Sequence, residues 1–189
     1  LLDDAHGFGV LGRQGRGSLF LPDCAHIHSP NIIYMATLGK AAGVFGAFVA
    51  AQAEVIETLI QSARSYIYTT ATPPLLAQAL MTSLKLIQQD EWRRDALTQN
   101  IARLREALQS LPWKLLPSST PIQPLLIGES TAAMCISQRL RERGILVPAI
   151  RPPTVPPDTA RLRISLSADH QPHDVLRLAE ALHEIALQA

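Results

Sequence analysis

Cysteine is scarce in this chain. The 189 residues hold two, Cys24 and Cys135, far apart and without CxxC or other metal-like spacing. That excludes a disulfide framework and leaves two reduced thiols, as expected of a cytoplasmic protein. An excess of one charge is missing too, since 17 basic residues face 16 acidic ones for a net charge of +1. Such a balance gives neither nucleic acid nor an anionic membrane a reason to bind. No apolar run reaches the roughly 20 residues of a bilayer-spanning helix. The opening residues, LLDDAHGFG, are acidic, unlike the start of a secretory signal. Aromatics make up only 5% of the chain, and Trp92 and Trp113 are expected as packing anchors beside a helical stretch.

What is present is 47% hydrophobic and 17% charged, an ordinary globular composition with chain enough for one good core or two modest ones. Leu1-Leu2 running into Asp3-Asp4 reads as the end of a buried parallel strand. With no initiator Met before it, the start of the protein is expected upstream. Five glycines between Gly7 and Gly17 predict a loop. NIIYMAT (31–37) and VFGAFVAA (44–51) read as buried strands, and AEVIETLIQSAR (53–64) as an amphipathic helix. Pro73-Pro74 suits a helix start, and the next three dozen residues read as one long helix or two in series. Beyond Pro112 the texture shortens. PIQPLLIG (121–128), ILVPAI and the strictly alternating RLRISLS (161–167) are expected strands, the last antiparallel and half-exposed. STAAMCISQRLRERG, stopped by Gly144, and PHDVLRLAEALHEIAL are expected helices. The layout is part of an α/β domain (1–92) followed by a smaller α+β domain (93–189).

Chemistry gathers at two places. Lys40 lies among Gly39, Ala41, Ala42 and Gly43, small residues that leave room for a flat ring. Desolvated at a strand end, its amine would lose its proton and become a nucleophile toward a carbonyl; otherwise its ammonium snorkels to the surface. Asp3 and His6, in DDAH, set a carboxylate and an imidazole at the end of the first strand. In open α/β sheets, sites form beyond the carboxyl ends of strands. Such a carboxylate can hold a proton on a heteroaromatic nitrogen, as in pyridoxal phosphate sites, or simply cap a turn. His26 and His28 read as loop histidines, because no carboxylate or cysteine joins them at ligand spacing. The glycine loop fits neither phosphate-binding pattern; its expected role is to let the backbone pass close to a partner subunit.

Four stretches in order, LLDDAHGFGVLGRQGRGS, TLGKAAGVFGAFVA, YIYTTATPP and RPPTVPPDTARLRISLSADH, resemble the α-oxoamine synthases. These are fold-type I pyridoxal 5'-phosphate enzymes that condense an amino acid with an acyl thioester and release carbon dioxide. The resemblance implies a mainly parallel large-domain sheet with helices, a small C-terminal α+β domain, and a homodimer with shared active sites. RPPTVP together with DDAHG favours the branch that joins L-alanine to a pimeloyl thioester in biotin biosynthesis over those that use glycine or serine. By the same resemblance, Lys40 carries the cofactor as an imine and moves the α-proton, Asp3 faces the pyridine nitrogen and His6 the ring oxygen. Thr37 binds the cofactor phosphate, and Thr70 reaches the phosphate of the neighbouring subunit's cofactor or else caps the Pro-opened helix. Arg163 grips the substrate carboxylate, and Thr154 contacts substrate or belongs to a proline-stiffened surface turn. Alternation alone places Arg161 and Arg163 on one face and does not say which points inward. Family enzymes keep a glycine-rich phosphate turn and a ring-stacking aromatic in the region that would precede Leu1. A polypeptide starting at Leu1 is therefore expected to lack one wall of the pocket, which leaves a non-catalytic, dimer-forming fragment as the rival reading.

Overall fold

Leu2 and Asp3 form β1 (Leu2–Asp3), which pairs in parallel with β2 (Tyr34–Thr37), Leu2 opposite Tyr34 and Asp3 opposite Met35. The parallel pairing requires a long connection, and the glycine-rich segment supplies it. The computed structural model describes residues 1–24, 26, 27 and 29–188. β3 (Ala47–Ala50) returns antiparallel to β2, closing a three-stranded sheet of order β1-β2-β3. Three of its four residues are exposed, so the apolar run at 44–51 is not the buried strand its composition suggests. Phe48 is flanked by the Phe8 ring at 5.2 Å and the Tyr34 ring at 6.0 Å.

Two helices follow, α1 (Ala53–Ser62) and the single turn α2 (Arg64–Ile67). α3 (Pro74–Gln89) begins with Pro74 in its first turn, where the missing N–H costs nothing. Its N-cap is Pro73, so Thr70 does not cap this helix. The long helical stretch is two helices in series, since α3 gives way at Asp90 and α4 (Glu91–Ala107) starts at the next residue. The chain divides there into two compact units, Leu1–Glu91 and Trp92–Ala189.

The second unit is an antiparallel sheet under helices. Its strands β4 (Lys114–Leu115), β5 (Ile122–Gly128), β6 (Ala149–Ile150) and β7 (Ala160–Ser165) stand in the order β4-β5-β7-β6. α5 (Ser130–Glu142) and α6 (Pro172–Ala186) complete it. Alternation along β7 buries Ala160, Leu162 and Ile164 and leaves Arg161 and Arg163 half-exposed on the opposite face. The buried side joins Leu125 to Leu104 of α4, Leu108 just beyond that helix, Leu140 of α5 and Leu182 of α6 in one apolar core. Gly144 stops α5 with a φ of +73°, a left-handed conformation that suits glycine. Of the two tryptophans, Trp113 packs against this core. Trp92 is 56% exposed and carries the Arg93 guanidinium 4.5 Å from its ring centre, so it is no core anchor.

Within this sheet, Gln123 of β5 is fully buried, and its side-chain amide is paired. Its carbonyl accepts from Arg105 Nη1 at 2.7 Å, while its amide donates to the Thr120 carbonyl at 2.7 Å and the Ser118 carbonyl at 3.1 Å. The buried amide therefore carries no desolvation penalty that is left unanswered.

Candidate active site

Two parallel strands end side by side in the first unit, and their C-terminal ends carry the polar groups. At the end of β1, Asp3 is exposed, and its Oδ1 accepts from the Ala5 backbone N–H at 3.0 Å, a local turn bond of the kind Asp commonly makes. Its other oxygen has no hydrogen bond among the described residues. His6 follows, exposed, in the turn that the Asp4 carbonyl closes by accepting from Gly7 and Phe8 N–H at 3.0 and 2.9 Å.

At the end of β2, Lys40 Nζ donates to Thr37 Oγ1 at 3.2 Å. The lysine opens a tight turn in which Gly43 N–H returns to the Lys40 carbonyl at 3.0 Å. Gly43 takes a φ of +64°, which a side chain would strain. Ser83 of α3 braces this turn from behind, its hydroxyl donating to the Ala42 carbonyl at 2.7 Å. Lys40 is exposed in this structure. The expectation of a desolvated amine is not met in this structure, because Lys40 stands on the exposed side of the turn and the strand that follows is itself largely uncovered.

The consecutive aspartates divide the work, since neighbouring residues of a strand point to opposite faces. Asp4 is 5% exposed, and it accepts from Tyr34 Oη at 2.6 Å, Ser18 N–H at 2.9 Å and Ser18 Oγ at 2.8 Å. Burial, the hydrogen bond to Asp4 and that carboxylate's charge together push the Tyr34 phenol well above its ordinary value. The glycine loop wraps this carboxylate so tightly that a Cβ at Gly7 would overlap it, and one at Gly17 would overlap both it and the Tyr34 hydroxyl. A reason for glycine thus lies inside the chain itself.

Thr70, exposed, also belongs to the first unit. Thr154 and Arg163 belong to the second. Thr154 stands in the proline loop after β6, its N–H bonded to the Arg151 carbonyl at 3.0 Å. Arg161 spends its Nε on the Thr159 carbonyl at 3.0 Å. Arg163 is different: its Nε is buried and has no partner among the described residues. An orphaned buried donor on a cation is costly, and of the two arginines only Arg163 leaves its Nε without a partner among the described residues. Sequence reading missed Asp4, Tyr34, Ser18 and Ser83. The doubled aspartate was the available signal, since only one of two adjacent strand residues can face outward.

The loop histidines sit elsewhere. His26 is exposed, and His28 lies outside the described residues. No group of three or more metal-ligating side chains occurs among the described residues. No helix among them is long and apolar enough to cross a membrane.

Comparison with known proteins now decides the family. The model for aminotransferase classes I and II matches residues 1–182. The chain belongs to that family. It is 67% identical over 186 residues to the 8-amino-7-oxononanoate synthase of Nitrosomonas eutropha, a match covering 98% of this chain and 48% of that protein. Among solved structures, the 8-amino-7-oxononanoate synthase of Francisella tularensis superimposes with a TM-score of 0.85 at 32% identity, over 98% of this chain and 54% of that one. A high-resolution structure of SPT with PLP gives a TM-score of 0.85 at 25% identity, over 96% of this chain and 46% of that one. The chain thus spans about half the length of the curated relatives it matches, and the aminotransferase-family fold extends across both of its units.

Proposed function

We propose that this chain is the portion of an 8-amino-7-oxononanoate synthase that holds the cofactor lysine and the substrate arginine. The whole enzyme would be a pyridoxal phosphate-dependent acyltransferase of biotin biosynthesis. It would condense L-alanine with a pimeloyl thioester, carried by coenzyme A or a carrier protein, and release carbon dioxide. The reading is supported by one arrangement above all: an amine on a hydroxyl, Lys40 on Thr37 at 3.2 Å, ending the strand beside the one that ends in Asp3. That arrangement occurs in a chain 67% identical to a protein named for this reaction. Residues 1–92 are then the C-terminal portion of the cofactor-binding large domain and residues 93–189 the small domain.

The donor set fits the cofactor. An amine would suit its aldehyde, a carboxylate its ring nitrogen, an imidazole its ring oxygen and a hydroxyl its phosphate. A Cβ added at Gly43 would meet nothing within 4 Å, and at Gly39 only the Val44 carbonyl at 3.8 Å, so open space adjoins Lys40. When bound, pyridoxal phosphate supplies an electron sink for the carbanion at the amino acid's α-carbon. Lys40 would anchor it and move the α-proton, and Asp3 would keep a proton on the pyridine nitrogen. His6 would bond the ring oxygen, Thr37 the phosphate, and Thr70 the phosphate in a neighbouring subunit of a homodimer. Arg163 would take the alanine carboxylate through a planar, charge-assisted pair, with Thr154 contacting substrate.

Borohydride treatment of the full-length protein with pyridoxal phosphate, followed by peptide mass mapping, tests the reading. The expected result is a reduced adduct on Lys40 that is absent in Lys40→Ala; labelling elsewhere with Lys40 unmodified counts against it. A sibling synthase that uses glycine or serine is the second reading, favoured by the solved serine palmitoyltransferase from Sphingomonas wittichii, which matches at a TM-score of 0.84 and 27% identity. Comparing alanine, glycine and serine as triggers of a spectral change separates the two.

A further inference from the structure

We infer that Asp4, tied to Tyr34 and Ser18, is a positioning residue that sets Asp3 and His6 for the cofactor ring; this rests on the proposed pyridoxal phosphate reading. Four observations converge. Asp4 lies between the two exposed polar residues in sequence, yet is itself 5% exposed. Its carboxylate takes three hydrogen bonds, one from β2 and two from Ser18, which lies fourteen residues on. Its carbonyl closes the turn that carries His6. Gly7 and Gly17 are both emptied of side chain to let the loop close on that carboxylate.

The mechanical consequence follows from these bonds. Asp3 and His6 project from a backbone of only four residues, and its orientation is fixed wherever Asp4 is fixed. Tyr34 sits on β2 three residues before Thr37, whose hydroxyl holds Lys40. The Tyr34–Asp4 bond therefore references the carboxylate and imidazole of one strand to the lysine of the next. Gly9 adds a second tie, since a Cβ there would come within 2.7 Å of Ala41 Cβ in the lysine turn. The site's two polar ends are thus held in register by a buried charge that never touches the ligand.

Tyr34→Phe and Ser18→Ala in the full-length protein, both removing a donor without adding bulk, test this. Ser137→Ala serves as a control, because it removes a comparable bond to the Val147 carbonyl (2.6 Å) in the other unit. Cofactor-free protein is compared by hydrogen exchange over residues 4–18, and loaded protein by its pyridoxal phosphate dissociation constant. The pH at which the bound cofactor's visible band changes is the third readout. Both variants should lose protection over that segment and bind cofactor on the order of tenfold more weakly, as partners that orient ligand-holding groups typically do. The band's transition should move by about half a pH unit, since the proton affinity it reports depends on how Asp3 and His6 face the ring. Ser137→Ala should change none of the three. If the variants bind and titrate like the wild type, or change only as the control does, the inference is overturned and the cofactor reading stands. If the wild type itself takes up no borohydride-trappable cofactor, both fall.

Discussion

Arg161 and Arg163 share one face of β7, but the first gives its Nε to the Thr159 carbonyl at 3.0 Å while the second keeps a buried Nε without a partner. Two residues of identical chemistry are thereby separated by a loop carbonyl. Arg163→Ala should weaken capture of the amino acid roughly 100-fold, the scale of a charged hydrogen-bonded pair. Arg161→Ala should change it by no more than about threefold. Titrating cofactor-loaded full-length protein with alanine and following the absorbance measures both, and equal losses would remove the distinction.

The alternation of RLRISLS was enough to read a half-buried strand, and the same periodicity logic located α5, α6 and β5. It did not choose between the arginines, because that choice depends on where the Thr159 carbonyl falls after a proline loop. Lys40 was legible as chemistry but not as environment. Exposure is set by what packs over a residue from distant segments, and an apolar flank in sequence does not supply that cover. The aspartate pair was half legible: Asp3 could be read as the outward carboxylate, whereas the burial of Asp4 depends on Tyr34 and Ser18, which no local pattern links to it.

The Tyr34 phenol gives the fold a signature in alkali. Its proton is held more tightly in the folded chain than the ordinary value of 10.0. Its contribution to stability is therefore complete below that pH. It is lost as the pH rises from 10.0 toward the higher folded value, where the unfolded chain has already released the proton. Urea midpoints of wild type measured above pH 10 should fall more steeply than those of Tyr34→Phe, by one proton's worth of slope. Parallel curves would show that the phenol is not held by burial and Asp4.

Gly17→Ala should be among the most damaging single-methyl changes in the first unit. The residue has a φ of +102°, and the added carbon would collide with Asp4 and the Tyr34 hydroxyl together. Backbone strain and the broken tie should cost at least about 2 kcal/mol. Chemical denaturation checks this, with Gly43→Ala for comparison, where the φ of +64° is also unfavourable but the space is open.

Gln123→Leu keeps the volume of the side chain and discards its bonds. Arg105 Nη1 would lose its 2.7 Å acceptor, although the Leu116 carbonyl remains at 3.2 Å; the Thr120 carbonyl would lose the amide's donation, and the Ser118 carbonyl would keep only a long bond from Arg105 at 3.5 Å. About 2–4 kcal/mol of stability should go with them, as expected when buried groups are stranded. Calorimetry of the full-length protein should register the loss as a lowered transition, and an unchanged transition would mean that water substitutes freely for the amide.

The glycines around Asp4 also decide what variation this stretch can accept. A segment so rich in the smallest residue looks slack and permissive, yet at Gly7 and Gly17 each vacancy is already filled by oxygen atoms from across the turn. Libraries built to retune this protein would spend their diversity poorly there. The turn at Lys40, with free volume beside Gly39 and Gly43, is the place where new shapes could be admitted, provided the positive φ of Gly43 is respected.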